Sequence, residues 1–270
     1  MGATVRLRVG CEFEWEAEGP VPMLMLVGVR QDEAHRTLDE SRSAEPDLPI
    51  RDYVDPSGNR FWRLQLPGGP TTLRYDATVE VSGEPDAVHP QARLTPVADL
   101  PDETLLYTLP SRYVESDRLV ETAWELFGHT EPAWPRVQAV CDWVHRHIRY
   151  EAGSSGPTTT AMDVYNARSG VCRDFAQLAI AFCRALNIPA RYTFGYLPDI
   201  AVEPPDVAMD FHAWFEAFLA GSWHAFDARH NRPRIGRVVV GRGRDAVDVA
   251  LSTAYGAALL KRMTVWADEG

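Results

Sequence analysis

The sequence predicts an α+β fold, with an antiparallel β-sandwich-like domain at residues 1–108 and a mixed domain at residues 109–270. Three observations support this prediction. Apolar and polar residues alternate through most of the first hundred positions, which is the period of half-buried strands. A proline-rich stretch then runs from Pro85 to Pro110. Beyond it the apolar residues follow a helical period, and alternation returns only after about residue 190.

The first domain is predicted to contain four strands, at residues 5–17, 23–30, 60–66 and 73–81. Turns rich in glycine and proline separate them, and no helical pattern lies between them. Strands joined in this way favour an antiparallel sandwich or barrel. Residues 31–55 are charged and irregular, and they are expected to form a long loop.

Helices predominate at the start of the second domain. An apolar stripe at residues 119–127 ends at Gly128, Pro135 opens a second helix, and a capping box at Thr160 starts a third. The clearest helix covers residues 172–187, with apolar side chains at helical spacing: Phe175, Leu178, Ala179, Phe182 and Leu186. Strands are predicted at residues 191–197, 211–219, 222–229 and 237–240, with a further one after Asp245. The helix at residue 172 is therefore expected to pack on an antiparallel sheet.

Charge and hydropathy argue against several classes of function. The chain has 270 residues, and 27 Lys plus Arg against 38 Asp plus Glu give a net charge of −11. So acidic a surface repels phosphate backbones and anionic lipids, which argues against nucleic-acid and membrane partners. No apolar run reaches the ~20 residues of a membrane-spanning helix, and the N-terminus lacks the apolar core of a signal peptide. A cytoplasmic location is expected.

One cysteine differs from the other three. Cys11, Cys141 and Cys183 fall on predicted apolar faces and are expected to be buried. Cys172 stands in the first turn of the clearest helix, where free backbone N–H groups and the helix dipole carry partial positive charge. This position is expected to lower the pKa of the thiol from its usual ~8.5. The preceding Gly170 is expected to let a substrate backbone approach closely.

A histidine and an aspartate are predicted to meet on the sheet that follows this helix. If Ala220-Gly221 forms a two-residue hairpin turn, Leu219 pairs with Ser222. Asp227 then lies on the same face as His212 and diagonal to it, within reach of a side-chain hydrogen bond. A slip of one residue in this register would move Asp227 to the opposite face.

These residue types suggest nucleophilic catalysis by a thiol. Cys172 is the candidate nucleophile, His212 its general base and later the general acid, and Asp227 the group that orients the imidazole. The backbone N–H of Cys172 is one candidate donor to the oxyanion. The second donor stays open among three upstream aromatic residues: Trp134, Trp143 and Tyr165. His230, close to Asp227 in sequence, is the alternative base.

Three segments resemble motifs of the transglutaminase-like superfamily: Ser169-Gly-Val-Cys-Arg-Asp-Phe-Ala176, Asp210-Phe-His-Ala-Trp-Phe-Glu216 and Trp223-His-Ala-Phe-Asp227. In this order they resemble the nucleophile helix, the histidine strand and the aspartate strand of that family. One departure follows Asp227, where Ala228 replaces the proline that the family often has.

The resemblance implies a papain-like core and a mechanism through an acyl-enzyme. Bacterial members with a β-rich N-terminal domain, described as cysteine proteases, are similar to the whole chain. The eukaryotic cross-linking members of the family need calcium. This sequence has no EF-hand-like loop, so neither a metal nor a cofactor is inferred.

The leading functional hypothesis is a cysteine protease or amidase that acts on a peptide or protein amide, with water as the acceptor. Two alternatives stay open. A transglutaminase would use the same chemistry with an amine acceptor, and a non-catalytic papain-like module would only bind. Nothing in the sequence indicates a coenzyme A site, the oligomeric state or the role of the β-rich domain.

Overall fold

Two four-stranded antiparallel sheets form a sandwich in the computed structural model, which describes residues 3–31, 35–203 and 208–270. The first sheet has the order β14-β1-β6-β3, made of β1 (Thr4–Ala17), β3 (His35–Glu45), β6 (Gly69–Ser82) and β14 (Ala258–Glu269). The second has the order β13-β2-β5-β4, made of β2 (Val21–Met25), β4 (Arg51–Val54), β5 (Arg60–Leu66) and β13 (Ser252–Ala254).

Alternating side chains fill the space between these two sheets. On β6 every second residue from Thr71 to Val81 is buried, as the period of a half-buried strand requires. Trp62 of β5 meets Tyr75 of β6 edge to face, with ring centroids 5.8 Å apart. The Tyr75 hydroxyl accepts a hydrogen bond from the backbone N–H of Val29 at 2.9 Å, which connects the residues after β2 to the first sheet.

The segment predicted as a long loop contains two strands, β3 and β4, so that prediction is wrong. β3 is an edge strand whose residues are mostly exposed on both faces. Such a strand needs no apolar side chains, and charged ones protect a sheet edge from further pairing. The alternation that reveals a buried strand is therefore missing from its sequence.

The last strands of the chain belong to the sandwich, whereas the sequence placed all residues after 108 in the second domain. β14 pairs with β1 along its length, with Val265 opposite Cys11, and β13 pairs with β2. Val265 and Ala267 are buried in the sandwich core. The apolar alternation predicts a strand here, but it does not show which sheet accepts it. The rest of the division at residue 108 stays a prediction.

The remaining elements surround one helix. The helices are α1 (Asp102–Leu105), α2 (Val120–Phe127), α3 (Trp134–His147), α4 (Ala161–Ala167) and α5 (Cys172–Ala185). The third sheet, antiparallel with the order β11-β10-β9-β12, is made of β9 (Ala190–Tyr196), β10 (His212–Leu219), β11 (Ser222–Phe226) and β12 (Val238–Gly243). A short parallel pair is made of β7 (Arg149–Tyr150) and β8 (Ser169–Gly170).

Helix α5 is buried from Asp174 to Ala185, because the third sheet covers one side and α2, α3 and α4 the other. Phe182 makes edge-to-face contacts with Phe127, Trp143 and Tyr165 on the helical side. The predicted α+β class is confirmed, with the nucleophile candidate at the N-terminus of a helix on an antiparallel sheet. None of the helices in the described ranges combines the length and apolarity that spanning a bilayer requires.

Candidate active site

The start of α5 is fixed by a buried carboxylate. Val171 has an extended backbone, and its N–H donates to Asp174 Oδ2 at 2.8 Å, which satisfies a donor that the helix cannot. A Cβ on Gly170 would lie 2.7 Å from the Cβ of Asp174. The glycine therefore makes room for Asp174, whereas the sequence suggested that it admits a substrate backbone. Cys172 is held at the first position of the helix by this arrangement.

The β10–β11 hairpin has the predicted register. Leu219 pairs with Ser222 and Phe215 with Phe226, and the two turn residues Ala220 and Gly221 have φ of 49° and 82°. Positive φ at both positions is the type I′ turn, whose twist suits antiparallel strands. His212 at the start of β10 and Asp227 just after β11 therefore lie on one face.

Asp227 accepts five hydrogen bonds. Its Oδ2 lies 2.7 Å from His212 Nε2, 3.1 Å from His230 Nδ1 and 3.2 Å from Arg237 Nη2. Its Oδ1 accepts the backbone N–H groups of Arg229 and His230, both at 3.0 Å. Burial would raise the pKa of Asp227, but the hydrogen bonds from His212 and His230 and the charge of Arg237 hold that pKa well below its usual value. The carboxylate is therefore ionised.

An ionised carboxylate can only accept, so Nε2 of His212 carries the proton and Nδ1 keeps a free lone pair. Burial lowers the pKa of His212, and the attraction of Asp227 offsets this only in part. The imidazole is thus neutral at pH 7, with its basic nitrogen directed away from the carboxylate. This is the tautomer that a general base beside a thiol requires.

The thiol of Cys172 is half-buried, and its pKa is raised to about 11, chiefly by burial. Backbone N–H groups of Ala213 and Arg173 favour the thiolate, while the charges of Asp210 and Asp227 oppose it. The sequence predicted a lowered pKa from the helix dipole, and this prediction is wrong because burial outweighs that effect. The hydrogen bond of the sulfur goes to the carbonyl oxygen of Phe211 at 3.9 Å rather than to the imidazole.

Cys172 and His212 line two adjoining cavities together with Val171, Asp210 and Phe211. The apolar arm has a volume of about 430 Å³ and also includes Phe194, Val247, Val249, Leu251 and Met263. The polar arm has a volume of about 520 Å³ and also includes Tyr150, Asp199, Arg229, His230 and Arg232. Sulfur and imidazole thus share one open cleft that extends in two directions.

The three aromatic candidates for the second oxyanion donor line neither arm. Trp134 packs on Phe226 with ring centroids 4.4 Å apart, and Trp143 stacks between His147 and Tyr165. Tyr150 is the aromatic hydroxyl that does line the polar arm with Cys172.

Burial raises the pKa of Tyr150, and a thiolate on Cys172 would raise it further. The sequence missed Tyr150 because its position depends on the short parallel pairing of Tyr150 with Gly170. Such a two-residue pairing leaves no pattern in the sequence.

Three side chains could bind a metal ion, since ligand atoms of His212, Asp227 and His230 lie within 4.8 Å of one another. Two imidazoles and a carboxylate suit zinc and related ions. The guanidinium of Arg237 is bonded to the same carboxylate oxygen, and its positive charge works against a cation there.

The comparisons with known proteins agree with this geometry. The model of the transglutaminase-like superfamily matches residues 121–228, which include Cys172, His212 and Asp227. An uncharacterized protein of Mycobacterium tuberculosis (strain H37Rv) is 30% identical over 237 residues, which cover 80% of this chain and 74% of that protein.

The chain belongs to the transglutaminase-like superfamily.

The crystal structure of a "putative cysteine protease" from Cytophaga hutchinsonii is similar to this superfamily member over nearly its whole length. The TM-score is 0.91 and the identity 34%, with 99% of this chain and 91% of that chain covered. An uncharacterized protein of Mycobacterium leprae is 30% identical over 156 residues, and the chain spans 55% of the length of that relative. The whole fold, sandwich included, is thus shared with a protein of known structure.

Proposed function

We propose that the protein is a cysteine acyl-transfer enzyme that cleaves amide or peptide bonds through a thioester on Cys172, with water as the usual acceptor. The observation that supports this most is the hydrogen bond of 2.7 Å between His212 Nε2 and Asp227 Oδ2, at the cleft that also contains the Cys172 sulfur. It leaves the second imidazole nitrogen free to accept a proton from the thiol.

In the first step, Nδ1 of His212 takes the thiol proton while the sulfur attacks the carbonyl carbon of the substrate. The new C–S bond pushes the carbonyl electron pair onto oxygen, and the backbone N–H of Cys172 donates to that oxyanion. Asp227 stabilises the imidazolium that forms, because its carboxylate is ionised and already bonded to Nε2. Both partners start neutral, so the proton moves as the bond forms.

In the second step, the imidazolium returns the proton to the leaving nitrogen, and the C–N bond breaks to leave a thioester. Water then enters, gives a proton to His212 and attacks the thioester carbon. The proton returns to sulfur as the C–S bond breaks, which releases a carboxylic acid. A primary amine in place of water would give a new amide, which is the transglutaminase reaction.

A non-catalytic binding module is the other alternative. A module of that kind has no need for an imidazole held in one tautomer by a buried, ionised carboxylate. Five hydrogen bonds converge on the side chain of Asp227 and fix its position and its charge. They support an enzyme rather than a module.

The test compares two histidine variants on one hairpin with peptide and ester substrates. His212→Gln is expected to lower kcat/KM by about a hundredfold or more, the usual contribution of a general base. His224→Gln is the matched control, because His224 is half-buried on β11 and lines neither arm of the cleft. Equal activities of the two variants would contradict the proposed base.

The acceptor is determined from the products with and without a small primary amine. Hydrolysis predicts the free acid under both conditions, as measured by mass spectrometry. A quantitative shift to the amide at low amine concentration would assign the transglutaminase reaction instead.

A further inference from the structure

We propose that the apolar arm of the cleft binds a bulky apolar side chain on the acyl side of the substrate. This inference rests on the function proposed above and specifies its substrate class. The donor carries an aromatic or branched aliphatic side chain next to the carbonyl group that Cys172 attacks. The arm thereby selects which amide is cleaved.

The lining of the apolar arm supports an apolar occupant. Phe194 and Phe211 form an edge-to-face pair with centroids 5.9 Å apart, and Val249 is buried beside them. Leu251 and Met263 also line the arm and are only partly buried. A phenylalanine side chain that entered this space would remove from water its own ring and the exposed parts of Phe211, Leu251 and Met263.

Several polar groups along this arm already have partners, and Asp210 accepts the backbone N–H of Phe211 at 2.7 Å. The Arg173 guanidinium donates to Asp174 Oδ1 at 3.1 Å and to the carbonyl oxygen of Gly156 at 2.9 Å. The Tyr113 hydroxyl donates to the carbonyl oxygen of Pro157 at 2.7 Å. A charged side chain in the arm would lose its water where most of the lining is apolar, which is unfavourable.

Both arms open from Cys172 and His212, so the acyl part and the leaving group of a bound substrate extend into different arms. The polar arm is lined by Arg229, His230 and Arg232, and it suits the polar leaving amine and the water that follows it. The leaving group and the acceptor therefore occupy the polar arm. The acyl part extends from the sulfur into the apolar arm.

Part of the wall of the apolar arm comes from the C-terminal strands and the residues before them. Leu251 directly precedes β13, Ser252 begins it, and Met263 lies in β14, the strand that pairs with β1. The C-terminal strands of the sandwich thus contribute to substrate selection.

The test measures kcat/KM for p-nitrophenyl esters of N-acetylated amino acids with one leaving group and varied side chains. The phenylalanine and leucine esters are expected to exceed the alanine and glutamate esters by about tenfold or more. Val247→Glu, at a rim position with 46% exposure, is expected to lower the Phe-to-Ala ratio by about tenfold. Because the ratio compares two donors on one enzyme, a change in thiol reactivity cancels.

Val54→Glu serves as the control, since Val54 is 64% exposed on β4 and outside the cleft, and its ratio is expected to equal that of the wild type. Met263→Glu provides a second variant of the arm with the same expected direction. Turnover without discrimination, or a Phe-to-Ala ratio unchanged in both arm variants, overturns this inference alone. Absence of turnover with every ester overturns the proposed function and this inference together.

Discussion

The guanidinium of Arg237 lies 3.2 Å from Oδ2 of Asp227, the oxygen that also accepts the hydrogen bond of His212. Arg237 is itself positioned by Asp86, whose two carboxylate oxygens each lie 2.9 Å from its Nε. It also lies over the ring of Trp214, 4.9 Å from the centroid. Asp86, in the segment after β6, therefore holds the positive charge of Arg237 next to the proposed site.

Arg237→Gln is expected to shift the acid limb of kcat/KM to higher pH. Burial is the largest cause of the low pKa of His212, but the positive charge of Arg237 lowers it further. Removing that charge raises the pKa, so the base becomes protonated at a higher pH. A pH–rate profile measures this shift. The control is Arg136→Gln, which removes another buried arginine, on α3, and should leave the acid limb unchanged. An unchanged acid limb in Arg237→Gln would contradict this prediction.

The rate at which iodoacetamide alkylates Cys172 is expected to rise with pH through pH 9 and 10. Burial raises the pKa of this thiol to about 11, so the thiolate fraction grows tenfold per pH unit below that value. Mass spectrometry of the labelled peptide follows the reaction, and the buried Cys11, Cys141 and Cys183 should stay unlabelled in the folded protein. A rate that is already at its plateau below pH 7 would indicate a preformed thiolate–imidazolium pair.

His230→Gln tests which imidazole is the base. The imidazole of His230 donates one hydrogen bond to Asp227, so the loss of this ring is expected to reduce kcat/KM by about tenfold or less. The acid limb of the pH profile should move as well, because the positive charge of His230 lowers the pKa of His212. A loss as large as that of His212→Gln, with no shift of the limb, would make His230 the base.

Gly170→Ala is expected to destabilise the protein by about 1–3 kcal/mol, because the new methyl group overlaps a packed side chain. Its Cβ would lie 2.7 Å from the Cβ of Asp174, which cannot move without losing the cap on Val171. Urea unfolding measures the change in the free energy of unfolding. Gly156→Ala is the matched control, since no atom of the described residues lies within 4 Å of a Cβ placed there. Equal urea midpoints for the two variants would show that Asp174 can move aside without loss of stability.

Local features of the site could be predicted from the sequence because they depend on few residues. The Ala220-Gly221 turn sets the register of β10 and β11, and that register alone brings Asp227 to the face of His212. The capping box at Thr160 and the start of α5 are likewise encoded within a few positions.

Features that depend on distant parts of the chain could not be predicted. The pairing of β14 with β1 joins residues more than 240 positions apart, such as Cys11 and Val265. Whether the pKa of Cys172 is raised or lowered depends on how deeply neighbouring elements bury the sulfur, and no local sequence pattern indicates this. Arg237 was missed because its role comes from Asp86 and Asp227, which approach it from different parts of the fold.

The most direct test of the central claim is a rapid-quench experiment with the wild-type protein and an excess of a p-nitrophenyl ester. The account predicts a burst of p-nitrophenol equal to the enzyme concentration, with the acyl group mapped by mass spectrometry to Cys172. Cys172→Ser should show neither the burst nor the adduct. An acyl group on another residue, or turnover that persists in Cys172→Ser, would contradict the account.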